Sequence, residues 1–370
     1  MKDDLSCAII TIHFGVNYGS ALQAYAMSEI MKIYCGSVTV INYIPERYSF
    51  KNKYFKHKNL LGLIKCLIVF PFRAKYQIVF KRFLQQRIAL TKCCSRITDI
   101  TTNTGNKSIY IAGSDQIWNS NYNKGVDPAY YLDFAPTESV KIAYAASFGK
   151  SKLNDNELEE TKTLLNNFNY ISVREENAVE ILESLGIHDS IHVLDPTFLL
   201  DKNEWLLRFG TVKKIEPYLL VYALDNDEAS LVKIGKQIAN RFKLKVRLIC
   251  FGYYKMNIDG LDECLIYKSP DVFVQEMLGA AYVVTNSFHG LAFSINLNKQ
   301  FIAVRRKEYN SRLESLLHIF GLERRLIDKS KGFEITLVEN LIDYSHINEI
   351  INIERKKASR FISNSFIESN

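Results

Sequence analysis

Six short segments of this 370-residue chain set small and polar side chains directly behind an apolar run, where a strand hands over to a helix. In AYVVTNSFHGLAFSI the apolar run stops at Thr285, Asn286 and Ser287, and a helical pattern begins with His289 and Gly290. An imidazole at a helix N-terminus exchanges its proton near pH 7, which makes His289 the best acid or base among the seven histidines. YISVREENAVEIL places Arg174 and Glu175 at a similar junction. A guanidinium there can grip a carboxylate or phosphate through two parallel bonds. Taken by itself, Arg174 reads as a surface ion pair with Glu175 or Glu176.

The other four segments offer binding rather than proton transfer. IYIAGSDQIWN ends in Gly113, Ser114 and Asp115, followed by Gln116, Trp118 and Asn119. Glycine admits close backbone approach, the carboxylate and amides suit sugar hydroxyls, and Trp118 either stacks on a sugar ring or belongs to the core. HFGVNYGSALQAYA opens a helix with Asn17, Tyr18, Gly19 and Ser20. Its free N–H groups suit an anion, and without one it is a capped turn. KIAYAASFG presents Ser147, and HVLDPTFLL ends in Asp195, which can accept a hydrogen bond from a ligand or a loop. GxGxxG, P-loop, GxSxG and HExxH patterns do not occur. His188 and His192 straddle a loop and a strand, so no metal site is expected.

Apolar runs from Cys7, Val38, Ser108, Lys141, Tyr170 and Ile191 predict strands, with helical spacing between them in SALQAYAMSEIMKIY and ENAVEILESLG. The rhythm restarts after Asp201, with runs from Tyr218, Val246, Ala281 and Phe301 and a helix from Ala229 to Phe242. Strand alternating with helix implies parallel sheets covered on both faces. The expectation is therefore an α/β protein of two tandem Rossmann-like domains, residues 1–200 and 201–330. A helical tail, residues 331–370, carries apolar spacing from Leu337 and is expected to pack back on the first domain. Ligands of such sheets bind at the carboxyl ends of strands, which places the chemistry in a crevice between the domains.

Composition narrows the class. Hydrophobic residues make up 47% and charged residues 24%, with 17 Gly and 7 Pro, as in ordinary folded proteins rather than disordered or fibrous ones. The seven cysteines are odd in number, scattered and without CxxC, which argues against a disulfide framework. The acidic start MKDDLSCAIITIHF does not resemble a secretory signal, and a cytoplasmic chain is expected. The net charge of +7 is unevenly spread. Residues 47–92 hold twelve Lys or Arg and no Asp or Glu, so the rest of the chain has 35 basic residues against 40 acidic ones. This insertion mixes its charges with apolar residues and its apolar run is too short to span a bilayer. It reads either as a peripheral contact at the inner membrane face, rather than a nucleic-acid surface, or as a helical pair packed on the first domain with a solvated basic side.

In order, NYGSALQAYA, GSDQIWN, YLDF with KIAYAASFG, SVREENAVEIL, VLDPTFLL, TNSFHGLAFSI and finally Asn310, Ser311 and Arg312 resemble the polysaccharide pyruvyl transferase family. The resemblance runs from Ile10 to Arg325. It implies a glycosyltransferase-B-like fold in a bacterial enzyme of exopolysaccharide synthesis. The implied reaction moves an enolpyruvyl-derived group from phosphoenolpyruvate to sugar hydroxyls and leaves a pyruvate ketal. Phosphoenolpyruvate would be a co-substrate with no separate cofactor, and the acceptor a sugar or lipid-linked oligosaccharide. Arg174 would hold the donor's anionic groups and His289 would be the acid or base. Substrate contacts would come from Asn17, Tyr18, Gly19, Ser20, Gly113, Ser114, Asp115, Asn119, Ser147, Glu175, Asp195, Asn286, Ser287 and Gly290. Many members carry an arginine two positions before the histidine, where this chain has Ser287. Arg305, Arg306 and Arg312 are the candidates to replace that charge. Two other readings stay open: an NDP-sugar-dependent glycosyltransferase, and a non-catalytic glycan-binding subunit.

Overall fold

A parallel strand with helices on both sides is buried on both faces, so it reads as an unbroken apolar run. Ile109–Ala112 and Tyr218–Tyr222 are of this kind, and every residue in them is buried. A computed structural model describes residues 4–49, 60–210, 216–251, 258–307 and 310–367. All ten predicted runs carry a strand there.

The first sheet contains β1 (Ser6–Ile10), β2 (Ser37–Val40), β3 (Ile109–Ala112), β4 (Val140–Ala146), β5 (Tyr170–Val173) and β6 (Ser190–His192), in the order β2-β1-β3-β4-β5-β6. The second contains β7 (Tyr218–Tyr222), β8 (Lys245–Ile249), β9 (Glu263–Leu265), β10 (Tyr282–Thr285), β11 (Gln300–Val304) and β12 (Leu326–Ile327), in the order β12-β11-β10-β7-β8-β9. All pairings between these strands are parallel. The winding direction reverses between β1 and β3 in one sheet and between β7 and β10 in the other. Connections leaving a reversal diverge to opposite faces, which opens a crevice at the carboxyl ends of those two strands.

The helices of eight or more residues are α1 (Tyr18–Tyr34), α2 (Leu60–Arg87), α3 (Leu158–Leu165), α4 (Glu176–Ser184), α5 (Lys202–Phe209), α6 (Glu228–Phe242), α7 (Pro270–Gly279), α8 (Phe288–Asn296), α9 (Ser311–Ile319) and α10 (Tyr344–Ile367). Met1–Pro196 with Lys357–Asn370 form one compact unit, and Thr197–Lys356 form the other. Ile10, Ala112, Trp118, Tyr130, Val173 and Leu182 lie in the core of the first. Leu219, Val221, Ile238, Val246, Val284 and Ile302 lie in that of the second. The end of α10 belongs to the first unit, where Phe361 and Phe366 meet Tyr144 and Tyr34 at ring-centroid distances of 6.4 and 5.3 Å. The expected return of the tail is thus present.

Three features differ from the sequence reading. β9 and β12 are three and two residues long, sit at sheet edges and carry too few apolar residues to mark themselves. The insertion is one 28-residue helix, α2, with Pro71 inside it, not a helical pair; its residues 50–59 lie outside the described residues. The helical spacing from Leu337 is interrupted at 340–343. There the Gln300 side chain acts as a strand partner, accepting from Ile342 N at 2.7 Å and donating to Ile342 O at 3.0 Å, which holds the segment out of a helix.

Candidate functional site

At the first reversal, an added Cβ on Gly113 would lie 3.1 Å from Thr11 Cβ, so glycine lets the ends of β3 and β1 draw together. Thr11 Oγ1 donates to Ser114 O at 2.6 Å and accepts from Gln23 Nε2 at 2.9 Å, tying α1 to both strands. Asn17 is the N-cap of α1, and its Oδ1 accepts from Gly19 N at 2.9 Å and Ser20 N at 3.3 Å. Two of the N–H groups expected to meet an anion are therefore already taken. Tyr18 is fully buried against Phe80 of α2, with ring centroids 5.1 Å apart.

Behind this turn, five of the predicted residues form one buried network. Ser114 Oγ donates to Asp195 Oδ2 at 2.8 Å, and Arg174 Nη1 donates to the same oxygen at 3.1 Å and to Ser114 Oγ at 3.3 Å. Arg174 Nε donates to Glu175 Oε1 at 3.2 Å, which also accepts from Ser147 Oγ at 2.7 Å. Beside it, Ser20 Oγ donates to Asp115 Oδ2 at 2.6 Å, and Asp115 Oδ1 accepts from Gln116 N at 2.8 Å. Asp115 has φ 76°, a left-handed conformation uncommon outside glycine, and at 8% it is more exposed than Ser20 or any residue of the Arg174 network. Burial alone would push the Arg174 guanidinium down, but Glu175, Asp195 and Asp115 hold it above its usual value. The surface ion pair read for Arg174 is thus an interior one, with a second carboxylate on its far side.

The strand that leads into Ser147, β4, is shaped for this. The β4–β5 register shifts between Ala143 and Ala146, and Ala145 has φ 51°. Ser172 Oγ fills the irregularity, accepting from Ala145 N at 3.1 Å and donating to Ala143 O at 3.0 Å. Bulges of this kind re-aim the residues that follow them. Two neighbours serve structure. Trp118 is 2% exposed, donates to Tyr130 O at 3.1 Å and stacks on Tyr131, so the core alternative holds for it. Asn119 caps the next turn through Tyr122 N and donates to Gln116 Oε1 at 2.6 Å.

At the second reversal the backbone again comes close. An added Cβ on Gly290 would fall 2.3 Å from Thr285 Oγ1, the atom that donates to Tyr222 O at 2.7 Å and accepts from Ser287 N at 3.1 Å. Ser287 is the N-cap of α8 and accepts from Gly290 N at 3.4 Å. His289 lies in the first turn of α8, 5% exposed, with its ring edge-on to Phe288. A cavity of about 490 Å³ opens here, lined by Asp225, Asn226, Asp227, Asn286, Arg306, Lys307 and Lys329. Its walls come from the segments following β7, β10, β11 and β12. His289 is not among the lining residues, whereas Asn286 is.

Three cations and two carboxylates share this cavity. Arg306 Nε donates to Asp225 Oδ2 at 2.6 Å, and Lys329 Nζ donates to both oxygens of Asp227 at 2.6 and 2.7 Å. Asp225 and Asn226 have φ of 62° and 57°, which Asp and Asn tolerate better than most residues. The three arginines proposed to replace the missing cation separate clearly. Arg305 pairs with Glu314, Arg312 lies over the Phe288 ring at 5.8 Å, and Arg306 faces the cavity. Sequence reasoning passed over Asp225, Asn226, Asp227, Lys307 and Lys329. The polar run LDNDE directly after β7 was a usable signal, while Lys329 follows a strand with no signature of its own. Among the described residues, no three His, Cys, Asp or Glu side chains gather as metal ligands would.

Comparison with known proteins agrees with this geometry. The chain is similar in structure to an inferred UDP-N-acetylglucosamine 2-epimerase from Listeria monocytogenes, with a TM-score of 0.58, 10% identity and coverage of 100% of this chain and 98% of that one. A UDP-GlcNAc 2-epimerase from Neisseria meningitidis gives 0.51, 10% identity, 98% and 100%. At such identity the likeness establishes the fold, a glycosyltransferase-B arrangement, and nothing about substrate. No curated protein sequence matches the chain. The polysaccharide pyruvyl transferase family matches residues 17–308, a span that holds the second strand reversal whole and all but one of the cavity residues. The chain therefore belongs to the polysaccharide pyruvyl transferase family, a family of transferases.

Proposed function

We propose that the protein transfers the pyruvyl group of phosphoenolpyruvate to two hydroxyls of a sugar, the sugar being part of a lipid-linked oligosaccharide. The observation that carries this reading is the opposite charge at the two strand reversals. The first has Asp115, Glu175 and Asp195 around Arg174, and the second has Arg306, Lys307 and Lys329 beside Asp225 and Asp227. A donor with phosphate and carboxylate is drawn to the cationic cavity, and carboxylates and serines suit hydroxyls. In this proposal Arg306, Lys307 and Lys329 supply the charge absent at Ser287. Arg174 keeps the acidic residues in place rather than gripping the donor itself.

Protonation of the donor's methylene carbon makes its central carbon electrophilic. One acceptor hydroxyl adds there and loses its proton. A second hydroxyl then displaces phosphate, closing the ketal and releasing inorganic phosphate. His289 is proposed to carry one of these protons, from the helix whose cap follows Asn286.

The test is incubation with phosphoenolpyruvate and a lipid-linked glycan fraction, reading phosphate release and the ketal by mass. Ketal formation supports the proposal, and His289→Ala should lower turnover by about 10². Consumption of an NDP-sugar with no use of phosphoenolpyruvate would establish the glycosyltransferase alternative. Binding of phosphoenolpyruvate without turnover on any acceptor would establish the non-catalytic one.

A further inference from the structure

We propose that Asp225 and Asp227 compete with bound anions for Arg306 and Lys329, so that the cavity takes its ligand by exchange and gives up inorganic phosphate readily. This role rests on the assignment of the cavity to the donor. Both cations are already committed. Arg306 Nε donates to Asp225 Oδ2 at 2.6 Å, and Lys329 Nζ donates to both oxygens of Asp227 at 2.6 and 2.7 Å. A phosphate that binds either cation must replace a carboxylate oxygen or share the cation with it, which sets like charges side by side.

Neither carboxylate is required by the local fold. Asp225 and Asn226 have φ of 62° and 57°, and Asp227 N donates to Leu224 O at 3.3 Å, closing a turn whose two central residues are left-handed. Asparagine serves at such positions as well as aspartate does. Asp227 is the N-cap of α6, yet its side chain makes no capping hydrogen bond and goes to Lys329 instead. The turn is anchored at Leu224, whose N and O both bond the Asn286 amide. It fixes the two carboxylates, while the cations sit at the ends of long side chains and are the parts that swing from carboxylate to ligand. Phosphoenolpyruvate, with a phosphate and a carboxylate, can replace both aspartates, and its second replacement is intramolecular. Inorganic phosphate has one group and lacks that advantage, so the recaptured cations favour its departure after transfer.

The experiment is titration calorimetry of the full chain and its Asp225→Asn and Asp227→Asn variants with inorganic phosphate at fixed ionic strength, followed by phosphoenolpyruvate. Both changes should tighten phosphate binding, by about 3-fold for Asp225, whose side chain is 55% exposed, and about 10-fold for Asp227, at 14%. Binding measurable only in the variants is the same result in stronger form. A merely structural role would loosen the cavity and weaken binding. In turnover, phosphate should inhibit Asp227→Asn at a correspondingly lower concentration. Glu339→Gln is the control, since it removes an equal charge from the pair with Arg241 at the other end of α6. That end is about 20 Å from Asp227 by helical rise, beyond the screening length of about 10 Å at 0.1 M salt. Phosphate binding no tighter in either aspartate variant overturns the proposal, as does equal tightening by Glu339→Gln. The donor reading is judged apart from this: an unaltered chain that never binds phosphoenolpyruvate overturns that reading, whereas tighter phosphate binding by the variants still supports exchange.

Discussion

Asn286 turns both ends of its side-chain amide onto the backbone of Leu224, accepting from Leu224 N at 2.7 Å and donating to Leu224 O at 3.1 Å. It bridges the segments leaving β7 and β10, and it lines the cationic cavity that opens between them. Asn286→Asp keeps one bond, sets an oxygen against Leu224 O and adds negative charge to the cavity. Stability should fall by about 1–3 kcal/mol, and phosphoenolpyruvate affinity, read by calorimetry, by about 10-fold or more.

Arg306→Ala and Lys329→Ala should each weaken phosphoenolpyruvate binding by about 10- to 100-fold, the range expected for loss of a hydrogen bond to a charged group. Arg305→Ala is the control. Arg305 pairs with Glu314 and does not line the cavity, so donor affinity should be unchanged. Equal losses for Arg305 and Arg306 would remove the cavity from donor binding.

Arg174→Met should destabilise the first unit by about 3–5 kcal/mol, since it leaves Glu175 and Asp195 buried without their cation. Urea unfolding measures this directly. Arg174→Lys should recover only part of the loss, because one ammonium cannot span two carboxylates as the guanidinium does.

Gly290→Ala tests the close approach at the second reversal. The new methyl would force Thr285 Oγ1 away from Tyr222 O and Ser287 N, at a cost of about 1–3 kcal/mol in thermal or urea unfolding.

His13 gives a pH dependence. Burial lowers its pKa from the ordinary 6.5, against the opposing effect of Thr11 O, 3.0 Å from its Nδ1, and Asn42 Oδ1, 3.1 Å from its Nε2. The unfolded chain then binds a proton that the folded chain resists. The contribution is therefore complete above about pH 6.5 and declines as pH falls below that value. His13→Asn should show a shallower decline over the same interval.

The alternation of elements was legible because a parallel strand must be apolar on both faces, and Tyr218–Tyr222 or Ile109–Ala112 can be little else. Five residues of the Arg174 network were also legible one at a time, as polar side chains at strand ends. Their mutual pairing was not, since Ser114, Ser147, Arg174 and Asp195 come from four different strand ends that only the sheet order brings together. The cationic cavity was the harder case. Arg306 was one of three equivalent arginines in the sequence, and only the pairing of Arg305 with Glu314 and the stacking of Arg312 on Phe288 set it apart. Lys329 depends on β12, an edge strand of two residues.

The shared helix α10 has a consequence for biosynthesis. Phe361 and Phe366, which seal Tyr144 and Tyr34, are translated after every residue of the second unit. On the ribosome, the half of the protein that is made first must wait for its final packing until the other half has been threaded out. A stalled or prematurely stopped chain would therefore expose an unfinished amino-terminal core to chaperones and proteases, however well its later half had folded.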